Sequence, residues 1–368
     1  MITFRHGGKT VTVEPGGLWT SQPGEDSYRD TPAGELWDIV REIRSGAPWR
    51  SVVARHYEKA NPWLHQVVTS PARDLFFRQP RRSPEPFRRA QGPEPVAGSA
   101  SGESVERGEG GPPSNTKVLD IGSGWGQIAL PLARDKTNEV TALEPTPERL
   151  AFIQAAATQE QVADRMHFVQ ADFFDVEFEP QSFDLICSIG VLEWVAKFRP
   201  GEPGKVQAEF LGRVRALLKP GGQLVIGIEN RLGLKYLLGA PDDHLGVPNI
   251  AIYDAALAAQ KWKAQSGQSL RSFTFTRGEL AELLTASGFR TTTFFAALPD
   301  YKLPRLILPL GPEINDHFEH GEFVPEHDGH SGQPLAFQAE LQSHYRSLAR
   351  LKIAQEFVPS FFVTASPE

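Results

Sequence analysis

Three observations predict a doubly wound α/β fold with a mostly helical cap ahead of it. From Thr116 onward, the short apolar runs KVLDIG, EVTALE, MHFVQAD, FDLICSIG and QLVIGIE alternate with segments of helical spacing. The first run leads into a glycine loop, VLDIGSGWG. Successive runs end on polar residues, among them Asp120, Glu144, Asp172 and Glu229. Apolar strands separated by helical segments indicate a parallel sheet covered on both faces, and such sheets bind ligands beyond the carboxyl ends of their strands.

The elements follow in order. Residues 2–13 alternate around His6-Gly7-Gly8-Lys9 and read as a hairpin. Glu35 to Tyr57 carries apolar residues at helical spacing, and Pro48 divides it into two helices. Asn61 to Phe77 continues as helix, so residues 1–78 form a hairpin and helical cap. Residues 79–115 are rich in Pro, Gly, Ser, Glu and Arg and read as a flexible linker; its basic patch, RQPRRSPEPFRRA, fits a solvated linker better than a phosphate-binding surface. Residues 116–368 form the α/β domain. Its helices are Gln127 to Ala133, Pro147 to Gln159 and Lys205 to Leu218, followed by Thr276 to Ser287, which opens on a Thr-Arg-Gly-Glu capping box. LLKPGGQLVI gives a helix end, a sharp Pro-Gly-Gly turn and a strand. RTTTFFAAL and FVPSFFVTA supply two late strands. A lid insertion is expected at 233–272 and a loop insertion at 303–355.

Composition narrows the function classes. The formal net charge of -7 over 368 residues argues against a broad nucleic-acid footprint. The single cysteine, Cys187, excludes an internal disulfide and thiolate metal clusters, and its place inside a strand makes it a packing residue. The N-terminus MITFRHGGKT lacks a signal-peptide core, and no apolar run approaches the ~18 residues of a membrane span. A soluble cytoplasmic protein is expected.

The loop after the first strand carries the strongest signal. Gly122, Gly124 and Gly126 permit a tight turn and close approach of backbone to a ligand. Glycine spacing alone leaves a dinucleotide site open, because counting from Gly124 places Ala129 at the last fingerprint position. The later strands discriminate. Glu144 is placed to grip two ribose hydroxyls. Asp172 with Phe173 suits an adenine, the acid accepting from the exocyclic amine and the ring stacking.

On Asp120/Gly122/Gly124, Glu144, Asp172 and Lys219-Pro220-Gly221-Gly222, the stretch from about Lys117 to Leu298, with the closing strand near Phe357 to Thr364, resembles the class I S-adenosylmethionine-dependent methyltransferases. The resemblance implies a Rossmann-like, seven-stranded sheet with an antiparallel last strand, and S-adenosyl-L-methionine as cofactor. It implies that Asp120 and the glycines Gly122 and Gly124 surround the methionine part, that Glu144 holds the ribose, that Asp172 with Phe173 holds adenine, and that Ser123, Pro145 and Ile189 also contact the cofactor. A narrower likeness, carried by ENRLGLKYLLGAPDDH and PDYKLP, is to methyltransferases associated with bacterial surface-polysaccharide biosynthesis.

The acceptor side is expected where the fourth and fifth strands end, at SIGVLEW and IGIENR. Glu193, Trp194, Asn230, Arg231 and Tyr301 are the candidate substrate contacts. Methyl transfer to a hydroxyl needs a proton acceptor, and His244 is the candidate base because its ordinary pKa is near neutrality, with Asp243 or Asp242 to orient it and Glu229 to hold the acceptor. The alternatives are a loop histidine that caps a helix, a Glu229 that meets a backbone amide, and an Arg231 spent on a surface ion pair. The Asn/Asp-Pro-Pro-aromatic motif of base and amide-nitrogen methylases is replaced here by IGVLEW. No metal ligand set is assigned: HFEHGEFVPEHDGH, residues 317–330, reads as a polar loop rather than an ion site. The expected function is methyl transfer to the oxygen of a small-molecule or glycan-type acceptor, with no nucleic-acid partner. The alternatives are a non-catalytic module that binds an adenosyl ligand or a partner, and a nicotinamide dehydrogenase.

Overall fold

A computed structural model of the chain describes residues 1–21, 31–77, 113–325 and 335–368. The basic patch and most of the expected linker lie outside the described residues, as does the end of the 317–330 cluster.

The strands are β1 (Ile2–His6), β2 (Lys9–Val13), β3 (Leu18–Thr20), β4 (Lys117–Ile121), β5 (Glu139–Leu143), β6 (Met166–Gln170), β7 (Val176–Phe178), β8 (Phe183–Ile189), β9 (Leu218–Glu229), β10 (Thr291–Leu298), β11 (Leu306–Pro309) and β12 (Ser360–Ser366). The main sheet runs β11-β10-β12-β9-β8-β4-β5-β6-β3. Its central strands pair in parallel, and β12 inserts antiparallel between β9 and β10. The seven expected strands with their antiparallel last member therefore form the body of a Rossmann-like sheet. Two short strands extend it at the edges: β3 beside β6 and β11 beside β10. At three and four residues these two were too short to announce themselves as apolar runs.

Burial explains why these segments are strands. All five residues of β6 are buried, as are four of five in β4 and β5. Helices cover both faces, and Cys187 is fully buried in β8. The Pro-Gly-Gly turn lies within β9: Phe183 pairs with Leu218 but Leu185 pairs with Gln223, so Lys219 to Gly222 bulge out of the ladder.

The N-terminal residues are fastened to the sheet. The β1–β2 hairpin pairs through β1 with β7. Helix Ala33–Arg44 buries Leu36, Ile39, Val40 and Ile43 in the same core as Phe152 and Ile153 of helix Pro147–Gln159. Gln159 locks this contact by donating to Ile43 O and Ala47 O and accepting from Trp49 N. Phe76, from a 3-10 turn at Ala72–Phe77, stacks on Phe362 of β12 with ring centroids 4.7 Å apart.

One expectation needs correction. The segment from His317 was read as loop, yet Pro312–His320 is an α-helix. Pro312 starts it, Ile314 and Phe318 supply a buried stripe one turn apart, and Phe318 stacks on Tyr345 at 4.1 Å. The charged neighbours masked that stripe in the sequence. The expected lid contains a short helix, Leu234–Leu237, and a longer one, Ala255–Ser266, with a small core of Ile250, Ala258 and Leu270. No helix among the described residues is long and apolar enough to cross a membrane.

Candidate active site

Two adjoining cavities open beyond the carboxyl ends of the central strands. The larger, about 510 Å³, is lined by Gly122, Glu144, Pro145, Asp172 and Phe173. The smaller, about 270 Å³, is lined by Gly124, Ile189, Glu229, Asp243, His244, Tyr301 and Lys302. Gly122, Arg149, Gly190 and Trp194 line both.

The glycine loop folds by backbone bonding. Gly122 N and Ser123 N donate to Leu143 O, drawing the loop over β5. Gly122 and Gly124 have φ of +66° and +55°, and a Cβ on Gly122 would lie 2.7 Å from Val191. The loop is therefore held in a left-handed conformation with its amides at the strand ends. Ser123 closes the turn, its hydroxyl donating to Asp120 O, and both residues lie behind the loop rather than in the cavity linings. Asp120 is 2% exposed, and its Oδ2 has no hydrogen-bond partner. Burial pushes its pKa up to about 7, although Ser123 and the Arg73 guanidinium pull it back.

Glu144 is buried and splits its carboxylate: Oε2 accepts from Gly124 N at 2.8 Å, and Oε1 accepts from Thr146 N and Oγ1 at 3.1 and 2.6 Å. Oε1 is filled by its two bonds, and Oε2 keeps lone-pair capacity toward the cavity that Glu144 lines. Asp172 Oδ1 accepts from Phe174 N and from Arg199, both at 2.8 Å. Arg199 also bonds Asp175, and its guanidinium lies 4.4 Å from the Phe174 ring centroid. Phe173 packs edge-on against Phe210 at 5.0 Å while lining the larger cavity.

The smaller cavity ends on a buried ionic cluster. Glu193 follows β8, Glu229 ends β9, and His244 comes from the expected lid. Their side chains are 0%, 2% and 5% exposed. His244 Nε2 lies 3.8 Å from Glu193 Oε1 and 3.6 Å from Glu229 Oε2, and Nδ1 lies 3.7 Å from Asp242 Oδ1. Lys302 Nζ donates to Glu229 Oε1 at 2.5 Å and to Asp243 Oδ2 at 3.3 Å. Tyr301 Oη stands 3.4 Å from Glu193 Oε1, and the Trp194 ring is 4.9 Å from that of His244. Burial disfavours charge on His244, but Glu229, with Asp242 and Glu193, outweighs it and raises its pKa to about 10. Burial, and then Glu229, also raise Glu193, while His244 opposes them.

Several expected roles change. His244 is brought to the cavity, where the surrounding carboxylates, Glu229 foremost, favour its protonated form against the cost of burial. Asp243 pairs with Lys235 and Lys302, whereas Asp242 faces the imidazole and accepts from His244 N. Asn230 turns away from both cavities: its Nδ2 donates to Glu356 O and Val358 O, and its Oδ1 accepts from Leu232 N. Arg231 is spent on Glu279 and Tyr253 O. Glu193, Trp194, Glu229 and Tyr301 do converge. Sequence reasoning missed Arg73, which lines the smaller cavity, lies near Asp120 and donates to Lys302 O at 3.1 Å. It also missed Arg199 and Arg149. No local pattern marks these three arginines.

Among the described residues, Glu193, Glu229 and His244 offer ligand atoms all within 4.8 Å of one another, a spacing able to hold a metal ion.

Residues 119–226 match the family described as a methyltransferase domain. The ubiquinone biosynthesis O-methyltransferase of Rickettsia akari is 30% identical over 126 residues, 34% of this chain and 45% of that protein. The erythromycin 3''-O-methyltransferase of Saccharopolyspora erythraea is 30% identical over 112 residues, 30% of this chain and 34% of that protein. The chain therefore spans less than half the length of either relative. The solved phosphoethanolamine N-methyltransferase 2 of Haemonchus contortus, in complex with S-adenosyl-L-methionine, superposes with a TM-score of 0.38 at 19% identity, covering 69% of this chain and 49% of that one. The stretch from β4 to β9 thus matches a methyltransferase domain, and S-adenosyl-L-methionine is the cofactor that this match supports.

Proposed function

We propose that the whole chain transfers the methyl group of S-adenosylmethionine to a hydroxyl oxygen of a small-molecule or glycan-type acceptor. One observation carries this reading. A cavity lined by the glycine loop and the strand-end acids adjoins a second one lined by Glu229, His244 and Lys302, with fully buried Glu193 behind His244. The first suits the cofactor, with Glu144 toward the ribose, Asp172 and Phe173 toward the adenine, and Asp120 near the methionine ammonium. The second suits a polar acceptor group approaching the methyl carbon.

The chemistry is an in-line displacement. An acceptor oxygen forms the new O–C bond as the S–C bond breaks, leaving S-adenosylhomocysteine, and the hydroxyl proton passes to a carboxylate of the cluster. The chain contributes alignment and water exclusion. Trp194 stands at the junction of the cavities, and Tyr301 and Lys302 hold the two carboxylates in place. The named O-methyltransferase relatives favour oxygen as the target. The surface-polysaccharide association expected from ENRLGLKYLLGAPDDH has no counterpart among them, so the glycan class rests on that likeness alone.

Incubating the full chain with S-adenosylmethionine and a panel of hydroxylated acceptors, and measuring S-adenosylhomocysteine by mass spectrometry, tests the proposal. Acceptor-dependent product formation supports it. Tight cofactor binding without turnover on any hydroxylated or amine acceptor would favour the non-catalytic module.

A further inference from the structure

We propose that Glu193, Glu229 and His244 form a site for one divalent cation, which in turn binds the oxygens of the acceptor. The inference rests on the reading of the smaller cavity as the acceptor pocket and deepens it. Three separate elements deliver the donors: the segment after β8, the end of β9 and the expected lid. Glu193 Oε2 and Glu229 Oε2 are buried and have no hydrogen-bond partner. Leaving such atoms unsatisfied is costly, and a bound ion satisfies both at once.

The spacing fits. Donors around an ion with bonds of about 2.1 Å stand about 3.4 Å apart in a tetrahedral shell, and about 3.0 Å when adjacent or about 4.2 Å when opposed in an octahedral one. His244 Nε2 lies 3.6 and 3.8 Å from the nearest Glu229 and Glu193 oxygens, between those limits. The surroundings fit as well. A metal-bound histidine characteristically presents its other ring nitrogen to a carboxylate, and Asp242 Oδ1 lies 3.7 Å from Nδ1 here. Lys302 holds the far oxygen of Glu229, so that carboxylate is oriented before an ion arrives.

Two carboxylates with one imidazole make a mixed oxygen and nitrogen set. Manganese(II) or zinc(II) suits it better than calcium or magnesium, which favour all-oxygen shells. Three protein ligands leave positions open on the cavity side, the arrangement of a catalytic rather than a closed structural site. An acceptor with two adjacent oxygens would fill them. With the ion in place, Glu193 and Glu229 serve as ligands, His244 releases its Nε2 proton to solvent on binding the ion, and the acceptor's hydroxyl proton passes to Asp243, which lines the same cavity.

The test is calorimetric titration of MnCl2, and separately ZnCl2, into the metal-stripped full chain, with electron paramagnetic resonance of bound Mn2+. Glu193→Gln, Glu229→Gln and His244→Gln follow, each checked by its melting temperature and by S-adenosylhomocysteine binding. The expected result is one ion per chain, bound at micromolar concentration and weakened about tenfold or more by each substitution, with S-adenosylhomocysteine affinity retained. Absence of Mn2+ and Zn2+ binding up to millimolar concentration would overturn the proposal and leave the cluster as an internal ion pair. So would binding that survives all three substitutions in folded variants. The ion result is read independently of the cofactor: a chain that binds S-adenosylhomocysteine but no ion loses only this inference, whereas one that binds an ion at these ligands but no adenosyl ligand loses the methyltransferase reading.

Discussion

Asp120 should make cofactor binding depend on pH near neutrality. Its carboxyl is buried under the glycine loop, and burial raises its pKa from 3.8 to about 7 despite nearby Ser123 and Arg73, with Glu144 adding to the rise. In the unfolded chain the group titrates near its ordinary value. Between about pH 4 and 7 the folded state binds the extra proton, so stability falls as pH rises through this window and levels off above 7; the difference of about three units corresponds to at most about 4 kcal/mol. Cofactor binding runs the other way. With the methionine ammonium near Asp120 as proposed, the ligand prefers the ionised carboxylate, so only that fraction binds well. With the pKa at about 7, about one molecule in eleven is ionised at pH 6 and about ten in eleven at pH 8, which predicts about tenfold weaker binding at pH 6. Calorimetric titration of S-adenosylhomocysteine at pH 6, 7 and 8 measures this, and Asp120→Asn should flatten both profiles. A dissociation constant equal within twofold at pH 6 and 8, in folded wild-type protein, would refute the reasoning.

Three further outcomes follow from the same geometry. Lys302→Met should destabilise the chain by about 3–5 kcal/mol in urea unfolding, because it leaves buried Glu229 without its closest cation. Asn230→Ala should cost about 2–4 kcal/mol by the same assay, since two carbonyls and one amide lose their partner, while acceptor KM stays within twofold because the side chain faces neither cavity. Gly190→Ala should lower stability by about 1–2 kcal/mol from its φ of +70° alone. It should also raise acceptor KM, because the new Cβ would stand 2.8 Å from Tyr301 Oη; an unchanged KM would show that Tyr301 does not shape the pocket.

Much of the scaffold was legible because burial on two faces leaves a plain mark. KVLDI, MHFVQ and FDLICSI can be little else than central strands, and a glycine loop behind such a strand needs the turn found at Gly122 and Gly124. The strand-end acids were legible for the same reason, since topology alone places Glu144, Glu193 and Glu229 on one rim. What failed was the inference from polarity to exposure. Asn230 looks like a site residue in ENR, but its amide serves the chain's own carbonyls more than a hundred residues away, at |i−j| of 126 and 128. His244 looked like a base because its isolated pKa suits one; the carboxylates that favour its protonated form come from Glu193 and Glu229, which only folding brings to it. Arg73 meets Lys302 across a separation of 229 residues, which no local pattern records. Helix Pro312–His320 was hidden because its buried face consists of little more than Ile314 and Phe318 among charged neighbours.

The central claim is that the cavity behind the glycine loop holds an adenosyl cofactor. The most direct measurement is calorimetric titration of S-adenosylmethionine and S-adenosylhomocysteine into the full chain, beside NAD, with Glu144→Ala as the control. Glu144 anchors Gly124 and lines the cavity where the ribose is proposed to lie, so loss of two charge-assisted bonds of about 1.5 kcal/mol each should weaken binding about 100-fold. The expected result is micromolar binding of both adenosyl ligands, lost in the variant, with no binding of NAD. Folded protein that ignores both adenosyl ligands, or prefers NAD, would contradict it.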